Sequence, residues 1–190
     1  DVPAPPSPAK VSAPQEKRNI IVTSVADAGP GSLRQALQML QNDTTITFDP
    51  VVFPPTEPKI IRLNSALPPI TQRHVTIDAS NAGVILGGAR LSSGHGLHVR
   101  GSYCTVMGLQ ICRFPEMGIE VVGDYIRIGG DRTVGTGPVG QGNVISGNGM
   151  YGVRISGWYT VVSANLLGVD VTGIQAMPNF YGIFACADSY

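Results

Sequence analysis

The hexapeptide Gly96-Leu-His-Val-Arg-Gly101 recurs three times further along this 190-residue chain. It returns as Gly118-Ile-Glu-Val-Val-Gly123, as Gly152-Val-Arg-Ile-Ser-Gly157 and, with an altered end, as Gly182-Ile-Phe-Ala-Cys-Ala187. The starts are separated by 22, 34 and 30 residues, which fits a base repeat of 22 residues with loop insertions near residues 131–142 and 169–178. Such a repeat is typical of folds that stack one short unit on the next.

Apolar and other residues alternate within each copy, as in a short β-strand. The apolar positions share one face, and the other face carries His98, Glu120, Arg154 and Phe184 in successive copies. If the copies stack, the apolar side chains form one continuous core. The outward side chains then form a row whose strands lie about 4.8 Å apart. This pattern predicts a parallel β-solenoid. A propeller needs longer, evenly spaced strands, and a sandwich does not need the repeated phrase.

The rest of the chain divides by composition. Residues 1–18 hold five prolines and predict an extended arm, which is either a surface linker or a brace against a neighbouring subunit. Residues 19–90 alternate short apolar runs with breakers and predict the first coils of the solenoid, while residues 91–190 hold the repeat coils. Within Ser32–Leu40, four apolar residues at helical spacing predict one short amphipathic helix. The predicted domain is therefore a single unit, residues 19–190.

Several phrases resemble known proteins. Val22-Thr-Ser followed by Gly29-Pro-Gly-Ser-Leu-Arg-Gln-Ala-Leu37 resembles the N-terminal region of bacterial right-handed parallel β-helix proteins of the pectin-lyase-like superfamily, in particular adhesin-type surface proteins. Asn143-Val-Ile-Ser-Gly-Asn148 resembles their repeat. The resemblance covers about residues 20–190 and implies an all-β, right-handed parallel β-helix, with the Ser32–Leu40 helix as its N-terminal cap. Because the superfamily includes lyases, glycosidases and adhesins, it implies a fold more than an activity.

Two sets of residues resemble catalytic groups of this superfamily. Gly94-His95-Gly96 is similar to a polygalacturonase motif, but the accompanying Asp-Asp, Asn-x-Asp and Arg-x-Lys motifs are absent from the sequence. We therefore predict that His95 lies in the turn before a repeat strand, with Asp78 and Glu116 as the nearest acids in sequence.

A pectate-type lyase needs clustered acids for calcium and a basic residue on the same face. The candidates are Asp124, Asp131, Asp170, Arg127, Arg132 and Arg154. The three aspartates lie beside or near glycines, where side-chain hydrogen bonds to the backbone are common. We therefore assign no catalytic, cofactor or metal residue.

Other residues allow two interpretations each. The row His98–Glu120–Arg154 is either a solvated face with matched charges or a polar groove for a sugar. Trp158-Tyr159 is either a turn packed over a coil edge or a carbohydrate platform.

The three cysteines are predicted as small buried core residues: Cys104, Cys112 and Cys186. If the chain is exported, a Cys104–Cys112 bridge is the alternative. The asparagines of the turns are predicted to be structural, and some of them to stack in ladders: Asn143, Asn148, Asn165 and Asn179.

Charge and hydropathy exclude two classes of partner. Thirteen basic and thirteen acidic residues cancel, so the chain lacks the positive surplus of a nucleic-acid binder, and no apolar run is long enough to span a membrane.

We predict a secreted or cell-surface bacterial protein with a structural or adhesive function and no cofactor. It either self-assembles into a filament or sheath through its arm and an open C-terminal coil, or acts as a monomeric adhesin. Its partners would be copies of itself, other surface proteins or a polysaccharide. The alternative function is a polysaccharide lyase or glycoside hydrolase.

Overall fold

The computed structural model describes residues 17–186, in which fifteen short strands and one helix alternate with turns. In chain order the elements are β1 (Arg18–Val22), α1 (Leu33–Gln38), β2 (Thr44–Phe48), β3 (Lys59–Arg62), β4 (Thr76–Asp78), β5 (Val84–Gly87), β6 (Leu97–Val99), β7 (Thr105–Met107), β8 (Leu109–Cys112), β9 (Ile119–Val121), β10 (Arg127–Gly129), β11 (Val144–Ser146), β12 (Tyr151–Ile155), β13 (Val161–Ser163), β14 (Leu166–Leu167) and β15 (Tyr181–Ala185). The predicted arm, residues 1–18, lies outside the described residues except for its last two, and Arg18 already belongs to β1.

The strands form three sheets in which every ladder is parallel. Sheet 1 has the order β1-β2-β4-β7-β10-β13, sheet 2 the order β3-β5-β8-β11-β14, and sheet 3 the order β6-β9-β12-β15. The chain visits the sheets in turn, so that β7, β8 and β9 make one coil and β10, β11 and β12 make the next. This arrangement confirms the prediction of a parallel β-helix.

The four copies of the repeated phrase are the four strands of sheet 3. Leu97 pairs with Ile119, Ile119 with Val153, and Val153 with Ile183, each one coil further along. The insertions therefore do not disturb the register. Their residues lie in the turns between sheets, where the chain can lengthen without moving a strand.

The core is a set of columns that run along the solenoid. In sheet 1 the column Ile46, Ile77, Val106 and Ile128 is fully buried. The inward positions of the other two sheets are buried up to their last strands: Ile61, Leu86, Ile111 and Ile145 in sheet 2, and Leu97, Ile119 and Val153 in sheet 3. Each inward side chain packs between the equivalent side chains of the coils above and below, which buries residues that a single short strand would leave in water. On the last described coil no strand follows β15, and Ile183 is 46% exposed.

Helix α1 has only six residues, and its N-terminus is capped by side-chain hydrogen bonds. Ser32 is the N-cap, and its hydroxyl accepts a hydrogen bond from the Gln35 backbone N–H, while the Gln35 side chain accepts one from the Gly31 N–H at 2.8 Å. Leu33, Ala36 and Leu37 are buried, and the helix contacts β1. It begins directly after Ser32, the predicted N-cap, and ends at Gln38, two residues before the predicted Leu40. It is also the only helix of residues 17–186, and no helix there is long and apolar enough to cross a membrane.

Candidate functional site

The outward row of sheet 3 has the register expected from the repeated phrase. His98 pairs with Glu120, Glu120 with Arg154, and Arg154 with Phe184. The Glu120 carboxylate bridges its two neighbours: Oε2 lies 3.3 Å from His98 Nε2, and Oε1 accepts a hydrogen bond of 2.8 Å from Arg154 Nη1. With only 12% of its side chain exposed, Glu120 is the centre of this row.

His95 joins the same group from the turn before β6. Its Nε2 lies 3.2 Å from Glu120 Oε2, and its Nδ1 lies 3.2 Å from Glu116 Oε2. The Nδ1 contact falls outside hydrogen-bonding geometry, and the atom is buried without a partner. The rings of His95 and His98 meet edge to face, with centroids 5.7 Å apart. We call His95, His98, Glu116, Glu120 and Arg154 the histidine–glutamate cluster.

His95 lies in the turn before β6, as predicted, and Glu116, one of its two nearest acids in sequence, contacts it, whereas the contact with Glu120 was not predicted. Asp78 is close to His95 only along the chain, whereas Glu120 lies one coil further on and reaches it through stacking. Each nitrogen of the His95 imidazole faces a different carboxylate. The cluster therefore combines two acids, two imidazoles and a guanidinium on one exposed face of the solenoid.

Burial lowers the pKa of one of these imidazoles. Desolvation lowers the pKa of His98, the Glu120 carboxylate partly opposes that effect, and nearby His95 and Arg100 lower the pKa further. His98 is consequently neutral at pH 7, and its contact with Glu120 joins a neutral imidazole to an anion.

The lowered pKa of His98 predicts acid sensitivity. Unfolding restores its ordinary pKa of about 6.5, so the unfolded chain binds this proton more readily than the folded chain. The free energy of unfolding should therefore fall as the pH drops below about 6.5. We expect His98→Gln to lose less thermal stability than the wild type between pH 7.5 and pH 5.5, as measured by circular dichroism melting. An equal loss in both proteins would contradict this assignment.

Aromatic rings continue the sheet 3 surface beyond Arg154. The Tyr151 ring stacks on Phe184 with centroids 4.9 Å apart and on Tyr181 at 5.4 Å, and Phe180 meets Tyr181 edge to face. Phe180, Tyr181 and Phe184 are each more than 40% exposed. One surface therefore carries both the histidine–glutamate cluster and these aromatic rings. We call this surface the sheet 3 face.

A second aromatic group runs along the turns that precede sheet 1. His74, Tyr103, Tyr125 and Tyr159 stack ring on ring, with centroid separations of 4.9, 4.7 and 4.7 Å. All four have positive φ between 55° and 60°, which holds them in the same orientation on successive coils. Because most ring faces are occupied by other rings, the stack is structural along most of its length.

The Trp158-Tyr159 pair fits neither predicted interpretation completely. Tyr159 stacks on Tyr125 as a structural ring, but 71% of its surface is exposed. Trp158 is 55% exposed and does not pack tightly over the coil edge that was predicted for it. Its backbone N–H donates to Asp124 Oδ1 at 2.8 Å, which ties this corner to the preceding coil.

Two of the aspartates considered for calcium binding, Asp131 and Asp170, serve their own turns, whereas Asp124 accepts from the Trp158 backbone N–H one coil further on. Asp131 Oδ1 accepts from both the backbone N–H and the hydroxyl of Thr133, and Asp170 Oδ1 accepts from Thr172 Oγ1 at 2.7 Å. These hydrogen bonds lower the pKa of both carboxyls. Within residues 17–186, Asp124, Asp131 and Asp170 form no ion pair with Arg127, Arg132 or Arg154, and no group of three or more His, Cys, Asp or Glu side chains is arranged to hold a metal ion.

The cysteines are all free, and only Cys104 is a core residue. The prediction that all three are buried in the core is wrong for Cys112 and Cys186, which are partly exposed. Cys112 lies at the end of β8 in register with Gly87 and Ser146. Burial of its sulfur still raises the pKa of the Cys112 thiol to about 11, which keeps it protonated at neutral pH.

Comparison with known proteins agrees with the fold. No protein-family model matches the chain, and no curated protein matches its sequence. Among solved structures, the crystal structure of pectate lyase Pel9A superimposes with a TM-score of 0.56 at 14% sequence identity, over 87% of this chain. The chain corresponds to 43% of the length of that protein. At this identity the similarity demonstrates a shared parallel β-helix fold.

Proposed function

We propose that this parallel β-helix belongs to an exported bacterial protein that adheres to a polysaccharide through its sheet 3 face. The proposal rests on one observation: the histidine–glutamate cluster lies next to the rings of Tyr151 and Phe184 on the same surface. Sugars offer hydroxyls to charged side chains and apolar ring faces to aromatic side chains, and binding sites combine the two. Pectate lyase Pel9A, which shares the fold, is named for its action on a polysaccharide.

The length of the sheet 3 face also suits a polymer. The outward row from His98 to Phe184 crosses four strands. At about 4.8 Å per strand step, it covers about 14 Å along the solenoid. Side chains repeat on every coil, so an extended glycan lying along the axis meets an equivalent strand position at each step. Cell-surface location follows from this function, because the polymer partner lies outside the cell.

Self-association is the second part of the proposal. The inward position of β15 is partly exposed at Ile183, and the rings of Phe180 and Tyr181 lie beside it. A second copy that stacked on β15 would cover these side chains in a head-to-tail contact able to propagate. Light scattering at increasing protein concentration tests it, and a monomer at every concentration would contradict it.

Affinity gel electrophoresis in polysaccharide-containing gels tests the adhesive function. We expect retardation of the wild type by pectate or by a neutral glucan, and about tenfold weaker binding in Phe184→Ser, because one aromatic contact is lost. Arg154→Gln should weaken binding to the acidic polymer more than to the neutral one. The matched controls are Tyr159→Ser and Arg127→Gln, which change an exposed ring and an exposed guanidinium elsewhere. Equal retardation of all five proteins would overturn the proposal.

Polysaccharide cleavage is a second candidate, favoured by the two carboxylates that face opposite nitrogens of His95. Glycoside hydrolysis requires two carboxyl groups beside one bond. Release of reducing ends, and of unsaturated products with and without calcium, would detect hydrolysis or elimination. Activity lost in both Glu116→Gln and Glu120→Gln would support catalysis. Activity that survives in both variants would exclude these residues.

A further inference from the structure

The outward face of sheet 2 holds a groove of about 440 Å³ that lies apart from the sheet 3 face. Its floor is a row of side chains in register across four strands: Ile60, Ile85, Gln110 and Val144. The adjacent positions Gly87 and Cys112 are small, which leaves the space open. Val171 and Met177, from the loop after β14, form one wall. The groove is therefore built mostly from apolar side chains.

One polar group in this floor has no partner. Gln110 is only 7% exposed, and its Nε2 is buried without a hydrogen bond. It lies between Ile85 and Val144 in the row, so neither strand neighbour can accept a hydrogen bond through its side chain. Buried amides in native proteins are almost always satisfied, because an orphaned donor is costly. An acceptor atom on a ligand in the groove would satisfy it.

Three guanidinium groups line the same groove. Arg62, Arg90 and Arg113 have no acidic partner within ion-pair distance among residues 17–186. Arg90 donates only to the neutral side chain of Asn64, at 3.2 Å. The single acid in the lining, Asp170, already accepts from Thr172 and from the Ile174 and Gln175 backbone. The rim is thus positively charged above an apolar floor.

We propose that this groove binds an organic anion with an apolar body, of the medium-chain carboxylate class. The floor spans three strand steps, about 14 Å, which matches an extended chain of about ten carbons. Its volume lies in the range of small-molecule sites. Arginine is suited to carboxylates because its planar fork forms paired hydrogen bonds, and the Gln110 amide supplies a further donor. The site is independent of the adhesive function, since it uses none of the residues of the sheet 3 face.

Isothermal titration calorimetry with decanoate below its micellar concentration tests the proposal. We expect saturable binding to the wild type, with acetate and decanol each bound at least tenfold more weakly, because one lacks the apolar body and the other the charge. The triple variant Arg62→Gln/Arg90→Gln/Arg113→Gln should bind decanoate at least tenfold more weakly. The matched controls Arg127→Gln, on sheet 1, and Arg154→Gln, on sheet 3, should bind as the wild type does.

A second variant addresses the floor. Gln110→Leu keeps the size of the side chain and removes the unpartnered amide, so it should fold and bind decanoate several-fold more weakly. The proposal is overturned if acetate binds as tightly as decanoate, or if the triple variant and Arg127→Gln bind decanoate equally. It is also overturned if an acidic oligosaccharide displaces decanoate with higher affinity. Unchanged decanoate binding in Phe184→Ser separates this site from the adhesive one.

Discussion

Replacement of Gly118 by alanine should lower the free energy of unfolding by about 3 kcal/mol, the upper part of the usual range for overpacking. A methyl group at this position would lie 2.5 Å from Ile145 Cγ2, 2.7 Å from Asn148 Nδ2 and 2.8 Å from the Gly152 carbonyl oxygen. Two of these neighbours are fixed, one by the strand backbone and the other by side-chain hydrogen bonds. The coils must therefore separate or shift to admit the methyl group.

The matched control is Gly182→Ala, at the same position of the last copy of the repeat. A methyl group there would meet no atom within 4 Å among the described residues, so its stability should equal that of the wild type. Urea denaturation followed by circular dichroism measures both variants. Equal destabilisation would indicate that the glycines are needed for backbone conformation, whereas two neutral variants would show that the coils can move apart.

The same geometry explains why the repeated phrase begins with glycine. A methyl group on Gly96 would lie 2.4 Å from the Gly118 carbonyl oxygen, and one on Gly152 would lie 2.6 Å from that of Gly182. Each coil therefore packs its neighbour's backbone against a position without a side chain. This close approach results from the stacking of the coils. In the sequence it is visible as a glycine at a fixed distance from alternating apolar residues. Sheet 3 could be predicted in full register for that reason.

Sheet 2 was less predictable because its outward positions are not uniformly polar or exposed. In β8, Leu109, Gln110 and Ile111 are all buried, so the alternation that marks a half-exposed strand is missing. Strand β14 contains only two residues, too few for any periodic pattern. Burial of an outward residue depends on what covers it, and here the cover includes Val171 and Met177 from a later loop. Neither the groove nor its unpartnered amide has a local signal in the sequence.

In the candidate site, too, the residues that belong to the repeat were more predictable than those in the turns. His98, Glu120 and Arg154 occupy one position of the repeat, and their neighbourhood could be predicted from spacing alone. His95 and Glu116 lie in the turns before the strands, where insertions change the spacing from coil to coil. The sequence contains a His-x-x-His pair and a Glu-x-x-x-Glu pair one repeat apart. That double pairing, combined with the repeat, is the signal that could have placed both carboxylates around His95.

The asparagines of the turns form two ladders, as the sequence suggested. In one, Asn143 Oδ1 accepts from the Leu109 N–H at 3.0 Å, and Asn165 Oδ1 accepts from Asn143 Nδ2 at 2.9 Å. In the other, Asn148 Oδ1 accepts from the Phe114 N–H at 3.0 Å, and Asn179 Oδ1 accepts from Asn148 Nδ2 at 2.9 Å. Each amide satisfies the backbone of one coil and the side chain of the next. The turns are thereby tied together along the solenoid axis.

Replacement of Asn148 by alanine should cost about 3 kcal/mol of unfolding free energy. Asn148 is 2% exposed, so its loss leaves the Phe114 N–H buried without an acceptor and Asn179 Oδ1 without one of its donors. Each buried group left unsatisfied costs about 1–3 kcal/mol. The control Asn19→Ala removes an exposed amide from β1 and should change stability by less than about 0.5 kcal/mol.

Asn148→Asp separates the ladder from simple packing at the same position. The aspartate keeps the shape and the acceptor for Phe114, but it turns an acceptor toward Asn179 Oδ1, where Asn148 had a donor, and adds a buried charge. We therefore expect it to be at least as destabilising as alanine in urea denaturation at pH 7. Below the pKa of that carboxyl the protonated acid again supplies a donor, so part of its stability relative to Asn148→Ala should return on acidification. Full wild-type stability of Asn148→Asp at pH 7 would show that only the acceptor matters, and the ladder would then make no contribution along the axis.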